Sequence, residues 1–247
     1  PLLAESVTQF QAQAYKELLP AGGPVRTQII GTPSTEKEEQ AERIRDYMNY
    51  QIMHIMEEFD PELDQMLFYL PLTGSTFKKV YYDSTLGRAV SKFVSSEDFV
   101  VPYEATDLET AVRVTHVLRR TKNEIRKMQV VGMYRDVEID PYKDETRIQE
   151  TKDKIEGIQD TGYKDDNYTL LEVHCDLDVP GFEDQDGIKL PYIVTIDEGS
   201  QKVLAVYRNY EETDSYKKKK QYFVHYKFLP GLGFYGFGLI HMLGGLS

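Results

Sequence analysis

The chain has 247 residues, of which 40% are apolar and 28% charged, a balance typical of globular proteins rather than disordered ones. The formal net charge of −12 excludes a chain-wide attraction to nucleic-acid phosphates, so any contact with DNA must be local. Cys175 is the single cysteine, which excludes an intrachain disulfide and a two-cysteine metal knuckle. Since no apolar run reaches the roughly 20 residues of a membrane-spanning helix, and the first residues lack a signal-peptide pattern, we expect a soluble, intracellular protein without membrane contact.

Apolar residues at helical spacing predict three helices in the first part of the chain. The second helix starts near Thr35, which has capping-box spacing to Glu38. Asp60 followed by Pro61 is typical of a helix start, and Pro71 predicts the end of that third helix. We expect these helices at residues 5–19, 35–59 and 61–69.

Beyond the third helix, the pattern changes to the alternation of strands. A turn between Asp83 and Gly87 joins two runs rich in aromatic and β-branched residues, which predicts a hairpin. Thr121 and Glu124 form a further capping box, and Gly132 marks the predicted end of the helix that follows. We expect strands at 76–82, 88–94 and 111–118, and a helix between the cap Thr121 and the stop Gly132.

The second half of the chain opens with a polar stretch, residues 140–167, whose many Lys, Asp and Glu residues predict a solvated helix or a flexible loop. Turn signals at 180–181, 186–187 and 199–200 then separate strand-like runs that predict a second β unit. We expect strands at 168–177, 192–196, 203–208 and 221–228.

A glycine-rich segment follows the last predicted strand, and Gly231, Gly233 and Gly236 match the G-x-G-x-x-G pattern of dinucleotide sites. No acidic residue follows about 20 positions later, and Phe234 and Tyr235 would crowd a phosphate. The alternative is a structural turn that lets a bulky helix start pack closely. We expect this structural turn, with Gly231, Gly233, Gly236 and Gly238 as its glycines.

Five carboxylates between residues 176 and 186 could bind a hard cation, or could form a solvated turn between strands. The EF-hand pattern fails, because matching its glycine to Gly187 puts Phe182 at the first ligand position. The five histidines lack metal-ligand spacing, and the neighbours His174 and Cys175 should point to opposite faces of a strand. We therefore expect no metal, no cofactor and no catalytic residue.

One basic cluster stands out, formed by Lys217, Lys218, Lys219 and Lys220 after an acidic run at 211–214. Such a cluster is usually the solvated tip of a hairpin. The alternative is a local surface that contacts DNA phosphates or an acidic partner protein.

Several blocks of this sequence resemble the portal proteins of tailed bacteriophages. The longest are FYLPLTGSTFKKVYYD at 68–83 and FVHYKFLPGLGFYGFGLIH at 223–241, and a third is SEDFVVPY at 96–103. The resemblance extends over nearly the whole chain, since further short blocks lie at 113–116, 122–128 and 171–174.

The resemblance implies an α+β fold with a helical and β wing, a stem helix and a small β clip domain. It assigns residues 1–118 to the wing, 119–167 to a stem-like region and 168–230 to a clip-like β region. Residues 231–247 would then be a glycine-rich turn into a truncated second stem helix. The apolar residues near Ser247 fit this expectation of a longer chain.

The same resemblance implies a non-enzymatic subunit of a homo-oligomeric ring, a dodecamer, at one vertex of the capsid. Double-stranded DNA would pass through the ring during packaging and ejection, and strong negative charge would keep the DNA from sticking. The implied partners are the terminase large subunit, the major capsid or scaffolding protein and a head-completion or tail adaptor protein. The implied location is the virion portal vertex, after assembly in the host cytoplasm.

Two other functions remain open at the level of sequence. The chain could be a different virion component, such as a head-tail adaptor without a role in DNA translocation. It could also be a metal-dependent hydrolase that uses the carboxylates at 176–186 together with His174.

Overall fold

The computed structural model describes residues 2–140, 151 and 167–243. Within these residues, the helices are α1 (Leu2–Leu18), α2 (Thr35–Tyr50), α3 (Phe59–Thr73), α4 (Lys122–Val130) and α5 (Leu239–Leu243). A π-helical turn, Gln51–Ile55, continues α2, and a 3-10 turn covers Ser96–Asp98. The strands are β1 (Ser75–Asp83), β2 (Arg88–Ser95), β3 (Phe99–Val100), β4 (Arg113–Thr121), β5 (Asn167–Leu177), β6 (Leu190–Asp197), β7 (Val203–Arg208) and β8 (Phe223–Lys227).

The strands form two antiparallel sheets, one with the order β2-β1-β8 and one with the order β3-β4-β5-β6-β7. Because the helices are not interleaved with parallel strands, the fold is of the α+β class, as the sequence predicts. No helix in the described parts of the chain is long and apolar enough to cross a membrane.

The described residues divide into two compact units. The first takes its residues from 1–97, 106–109 and 221–247, and the second from 98–105 and 110–220. Strand β8 lies in the segment assigned by resemblance to a clip, but it pairs with β1 in the first unit. The assignments to wing, stem and clip themselves remain predictions.

The core of the first unit lies between α3, α1 and the three-stranded sheet. Met66 and Leu67 of α3 are almost fully buried, and Phe10 of α1 and Phe93 of β2 pack against this cluster. Phe77 of β1 is completely buried. The predicted hairpin is confirmed, since every residue of β1 from Thr76 pairs with β2.

Helix α3 differs from its sequence prediction at both ends. It begins at Phe59 after the cap residue Glu58, so the predicted cap at Asp60 and first helical residue at Pro61 are each wrong by two residues. The predicted end at Pro71 is also wrong, because the helix continues to Thr73. Pro71 lacks a backbone N–H, but the last turn still closes after it, because the Gly74 N–H donates to the Leu70 carbonyl at 2.9 Å. The chain leaves the helix at Gly74, which has the left-handed φ of 87° that favours glycine.

Helix α2 is capped by Ser34, whose hydroxyl accepts a hydrogen bond from the Lys37 N–H, so the predicted cap at Thr35 is wrong by one residue. The α-helical part ends at Tyr50 instead of Phe59, because the π-helical turn follows it. No residue of α2 is buried.

The second unit is built around the five-stranded sheet. The predicted capping box at the start of α4 is confirmed, since Thr121 and Glu124 exchange hydrogen bonds between side chain and backbone N–H. Strand β4 begins two residues later than predicted, and Val112 lies exposed before it. The core of this unit includes Ile125 and Leu204, which are almost fully buried.

The polar stretch predicted to be a solvated helix or flexible loop, residues 140–167, lies outside the described residues except at positions 140, 151 and 167. The same holds for residues 244–247 of the predicted second stem helix.

Candidate functional site

The four predicted lysines lie in the loop that leaves β7, and this loop is closed at its base by Asn209. The backbone N–H of Lys220 donates to the Asn209 carbonyl at 2.9 Å, and the Asn209 side-chain amide donates to the Lys220 carbonyl at 3.2 Å. Asn209 is only 2% exposed. Sequence reasoning missed Asn209, because no local pattern indicates a contact between residues this far apart.

Inside the loop, Asp214 organises the turn that presents the lysines. Its carboxylate accepts the backbone N–H groups of Lys218 and Tyr216, each at 3.0 Å. These two hydrogen bonds hold the pKa of Asp214 below its ordinary value. Lys217 has a positive φ of 48°, so the turn includes one residue in the left-handed region.

The side chains of the four lysines have different surroundings. The Lys217 ammonium donates to the Glu212 carbonyl at 2.6 Å, and the Lys219 ammonium donates to the Ala111 carbonyl at 2.9 Å. Both residues are half-buried, so these two lysines stabilise the loop. Lys218 and Lys220 are exposed, and the Lys220 ammonium lies 2.5 Å from a Glu211 carboxylate oxygen.

Acidic neighbours reduce the net positive charge of this loop. Residues 208–220 contain five basic and three acidic side chains. Arg208 pairs with Glu212, and Lys220 pairs with Glu211. Exposed pairs of this kind contribute little to stability, but they weaken the field that an approaching phosphate would meet. The loop can therefore attract a polyanion only weakly.

The predicted glycine turn lies against the C-terminal end of α3. A Cβ atom on Gly236 would come within 2.5 Å of the Gly74 carbonyl oxygen, and one on Gly238 would come within 2.5 Å of the Gly74 nitrogen. A Cβ on Gly231 would collide with the Tyr235 backbone, whereas one on Gly233 would meet open space. Three of the four predicted glycines are therefore required by close backbone packing.

Two backbone N–H groups of this turn are already engaged. The Gly236 N–H donates to the Ser75 hydroxyl at 2.8 Å, and the Gly238 N–H donates to the His241 ring at 3.0 Å. A dinucleotide site needs such N–H groups to point at the pyrophosphate. The geometry of Gly236 and Gly238 therefore does not support a phosphate site at this turn.

Aromatic rings pack beside the glycine turn around His225. The His225 ring stacks on Phe77 and Phe234 with centroid distances of 4.5 and 4.7 Å, and one ring nitrogen lies 3.1 Å from the Ser75 hydroxyl. Burial, together with the nearby charge of Lys227, lowers the pKa of His225 to about 4. His225 is therefore a neutral packing residue at pH 7.

The acidic run at 176–186 forms local turns. A Glu183 carboxylate oxygen accepts the Gly181 N–H at 2.9 Å, and an Asp184 oxygen accepts the Asp186 N–H at 3.0 Å. Within residues 2–140, 151 and 167–243, no group of three or more His, Cys, Asp or Glu residues has a geometry that could hold a metal ion.

On β5, His174 contacts Glu172 at 2.8 Å between Nε2 and a carboxylate oxygen. Burial, mainly, raises the pKa of the neighbouring Cys175 thiol, so this thiol is protonated at neutral pH. A protonated thiol is a poor nucleophile, and the pair does not have the properties of a catalytic dyad.

A cleft of about 620 Å³ lies beside α4 in the second unit. Ile125, Tyr168 and several charged residues line it, and its Arg126 pairs with Asp136 at 2.5 Å. The sequence indicated the apolar stripe of α4 but not this cleft, because the other wall is irregular chain at 136–139. Since Arg126 is already paired, this guanidinium is not a free anion-binding group.

Comparison with protein-family models and with curated protein sequences found no match to this chain.

Proposed function

We propose that the chain is a portal-type subunit, which assembles into a ring that carries double-stranded DNA and docks terminase and tail-connector proteins. The two longest blocks of resemblance lie side by side in the structure, and this observation carries the proposal. The block at 68–83 covers the end of α3 and all of β1, and the block at 223–241 covers β8 and the glycine turn. These two blocks contact each other through β1, β8 and the glycine turn.

The contact between the two blocks has two parts. The strands pair in antiparallel register from Ser75 opposite Lys227 to Lys79 opposite Phe223. The glycine turn then packs backbone against backbone on Gly74. The two blocks are remote in sequence, but they form one packed substructure. This packing supports the interpretation that the chain resembles portal proteins in its fold.

Charge also supports a DNA channel rather than a tight DNA-binding protein. A ring of identical subunits multiplies the formal charge of −12, and repulsion keeps phosphates from binding tightly to the wall. The loop with Lys218 and Lys220 is then a weak local contact for DNA or for an acidic docking partner. The alternatives, another head-tail adaptor or a metal-dependent hydrolase, have no comparable support in the described residues.

The lysine loop gives a direct prediction for DNA contact. The double variant Lys218→Ser/Lys220→Ser removes the two exposed charges and leaves Lys217 and Lys219 in their hydrogen bonds. Each lost phosphate contact reduces the salt dependence of binding. Because Lys220 is already paired with Glu211, the slope of log K against log salt should fall by about 0.9, the effect of Lys218, for each engaged loop. The measurement is a titration of the assembled protein with duplex DNA at several salt concentrations.

A matched control is Lys122→Ser/Lys127→Ser, which removes two exposed charges from α4. This control should keep the wild-type salt slope. If both double variants bind DNA with the wild-type slope, the lysine loop is not a DNA contact.

A further inference from the structure

The outer edge of strand β2 is covered by two carboxylates from the start of α3. A Glu58 oxygen accepts the Ser91 backbone N–H at 3.0 Å, and a Glu62 oxygen accepts the Phe93 backbone N–H at 2.6 Å. Strand β2 is at the end of the sheet order β2-β1-β8, so these N–H groups belong to a sheet edge.

The register explains why these two N–H groups need a partner. The Val80 N–H donates to the Tyr222 carbonyl, so the even-numbered residues of β1 hydrogen-bond toward β8 and the odd-numbered ones toward β2. The backbone of Lys79 therefore hydrogen-bonds with that of its partner Lys92. The backbone N–H groups of the alternate residues 91 and 93 of β2 point away from β1. An unpaired edge of this kind is a template for pairing with another strand.

The helix and the strand match in spacing. Residues four apart in an α-helix are separated by about 6 Å along the axis, and residues two apart in a strand by about 6.7 Å. Glu58 and Glu62 can therefore follow two consecutive outward N–H groups of β2. The two carboxylates act as a substitute for the missing neighbour strand.

Basic side chains of β2 and β1 surround the carboxylates of Glu58 and Glu62. Arg88 of β2 pairs with Glu58 at 2.7 Å, and Lys92 contacts Glu62 at 3.5 Å. Lys78 of β1 is only 3% exposed, and its ammonium lies 4.2 Å from the centre of the Phe59 ring. Burial works to raise the pKa of Glu58, but its hydrogen bonds, including those from Arg88 and Ser91, outweigh burial and lower it.

We propose that Glu58 and Glu62 form an autoinhibitory seal, which prevents the β2 edge from pairing with an extended strand of a second copy of this chain. The sequence of β2, RAVSKFVS, makes such a seal necessary. It contains β-branched and aromatic residues, and neither proline nor glycine. Its two charged residues, Arg88 and Lys92, are both paired with the two glutamates, so the glutamates are what covers this edge. The proposal is independent of the portal function, because it concerns the sheet of the first unit alone.

The test is the double variant Glu58→Ala/Glu62→Ala, which removes both acceptors. Amide hydrogen exchange at Ser91 and Phe93 should become at least about tenfold faster, since each amide loses its acceptor. Light scattering should show species that exceed the wild-type assembly and grow with concentration. Unchanged exchange at both amides, or a wild-type size distribution at every concentration, would overturn the proposal.

Two further variants separate the seal from a general loss of structure. Glu57→Ala removes an exposed carboxylate next to the seal and should behave as wild type. Glu62→Ala removes one acceptor, so exchange should become faster at Phe93 but remain slow at Ser91, which keeps its contact with Glu58. Equal acceleration at both amides in this single variant would mean that the carboxylates act on the whole unit and not as a seal.

Discussion

Replacing Gly236 with alanine is expected to destabilise the protein by about 3 kcal/mol. A Cβ at this position would come within 2.5 Å of the Gly74 carbonyl oxygen and 2.6 Å of the Leu229 carbonyl oxygen. Both obstacles are backbone atoms, so relief requires moving the end of α3 or the bridge between Leu229 and Phe237. Chemical denaturation followed by circular dichroism measures the change.

The matched control is Gly233→Ala, in the same turn. A Cβ on Gly233 meets no atom within 4 Å, so this variant should unfold within about 0.5 kcal/mol of wild type. The comparison isolates backbone contact from the general effect of replacing glycine in a turn. Equal stability of the two variants would contradict the close packing of Gly236.

Replacing Lys78 with methionine is expected to stabilise the protein by about 2 kcal/mol at pH 7. Burial lowers the pKa of the Lys78 ammonium from 10.5 to about 8, although the charges of Glu62 and Glu58 act in the opposite direction. Such a shift corresponds to about 3 kcal/mol of penalty for the charged form. Methionine keeps the unbranched shape without the charge. The gain is smaller than this penalty, because Glu58 and Glu62 lose the attraction of a nearby positive charge.

The stabilisation by Lys78→Met should decrease as the pH rises above about 8. Below pH 8 the lysine is charged in both the folded and the unfolded chain, so the full burial penalty applies. Between about pH 8 and 10.5 the unfolded chain binds more protons than the folded one, and the wild-type free energy of unfolding gains from this group as pH rises. The advantage of Lys78→Met should therefore shrink in that range.

Urea denaturation of Lys78→Met and wild type at pH 7 and pH 9.5 measures both effects. Lys189→Met, at an exposed position, is the control and should show neither. A destabilised Lys78→Met protein at pH 7 would mean that the contact of the ammonium with Phe59 and the attraction of the two glutamates outweigh its burial penalty.

Elements with strong local signals were predictable from the sequence. The β1–β2 hairpin follows from alternating apolar residues around the turn, where Asp83 accepts backbone N–H groups and Gly87 takes a positive φ. The capping box of Thr121 and Glu124 places the start of α4 to the residue. In these cases the deciding interactions join residues only a few positions apart.

Elements decided by distant contacts were not predictable. Nothing in the strand pattern at 223–227 indicates that β8 pairs with β1 and not with the strand before it in sequence. The contacts of Glu58 and Glu62 with β2 are of the same kind, since no local pattern in the sequence pairs these two residues with a strand. Their role depends on a partner strand about 30 positions away.

The lysine cluster was predictable from the sequence only in part. The sequence identifies the four lysines, but only tertiary contacts separate Lys217 and Lys219, which donate to backbone carbonyls, from the exposed Lys218 and Lys220. The role of Asn209 in closing this loop has no local signal at all.

If the chain is a subunit of a DNA-conducting ring, the full-length protein should assemble into one. Mass measurement combined with negative-stain imaging gives the number of copies and the outline of the particle. We expect a closed ring of identical subunits with a central opening wide enough for duplex DNA. A stable monomer at all concentrations, or a closed assembly without a central opening, would contradict it.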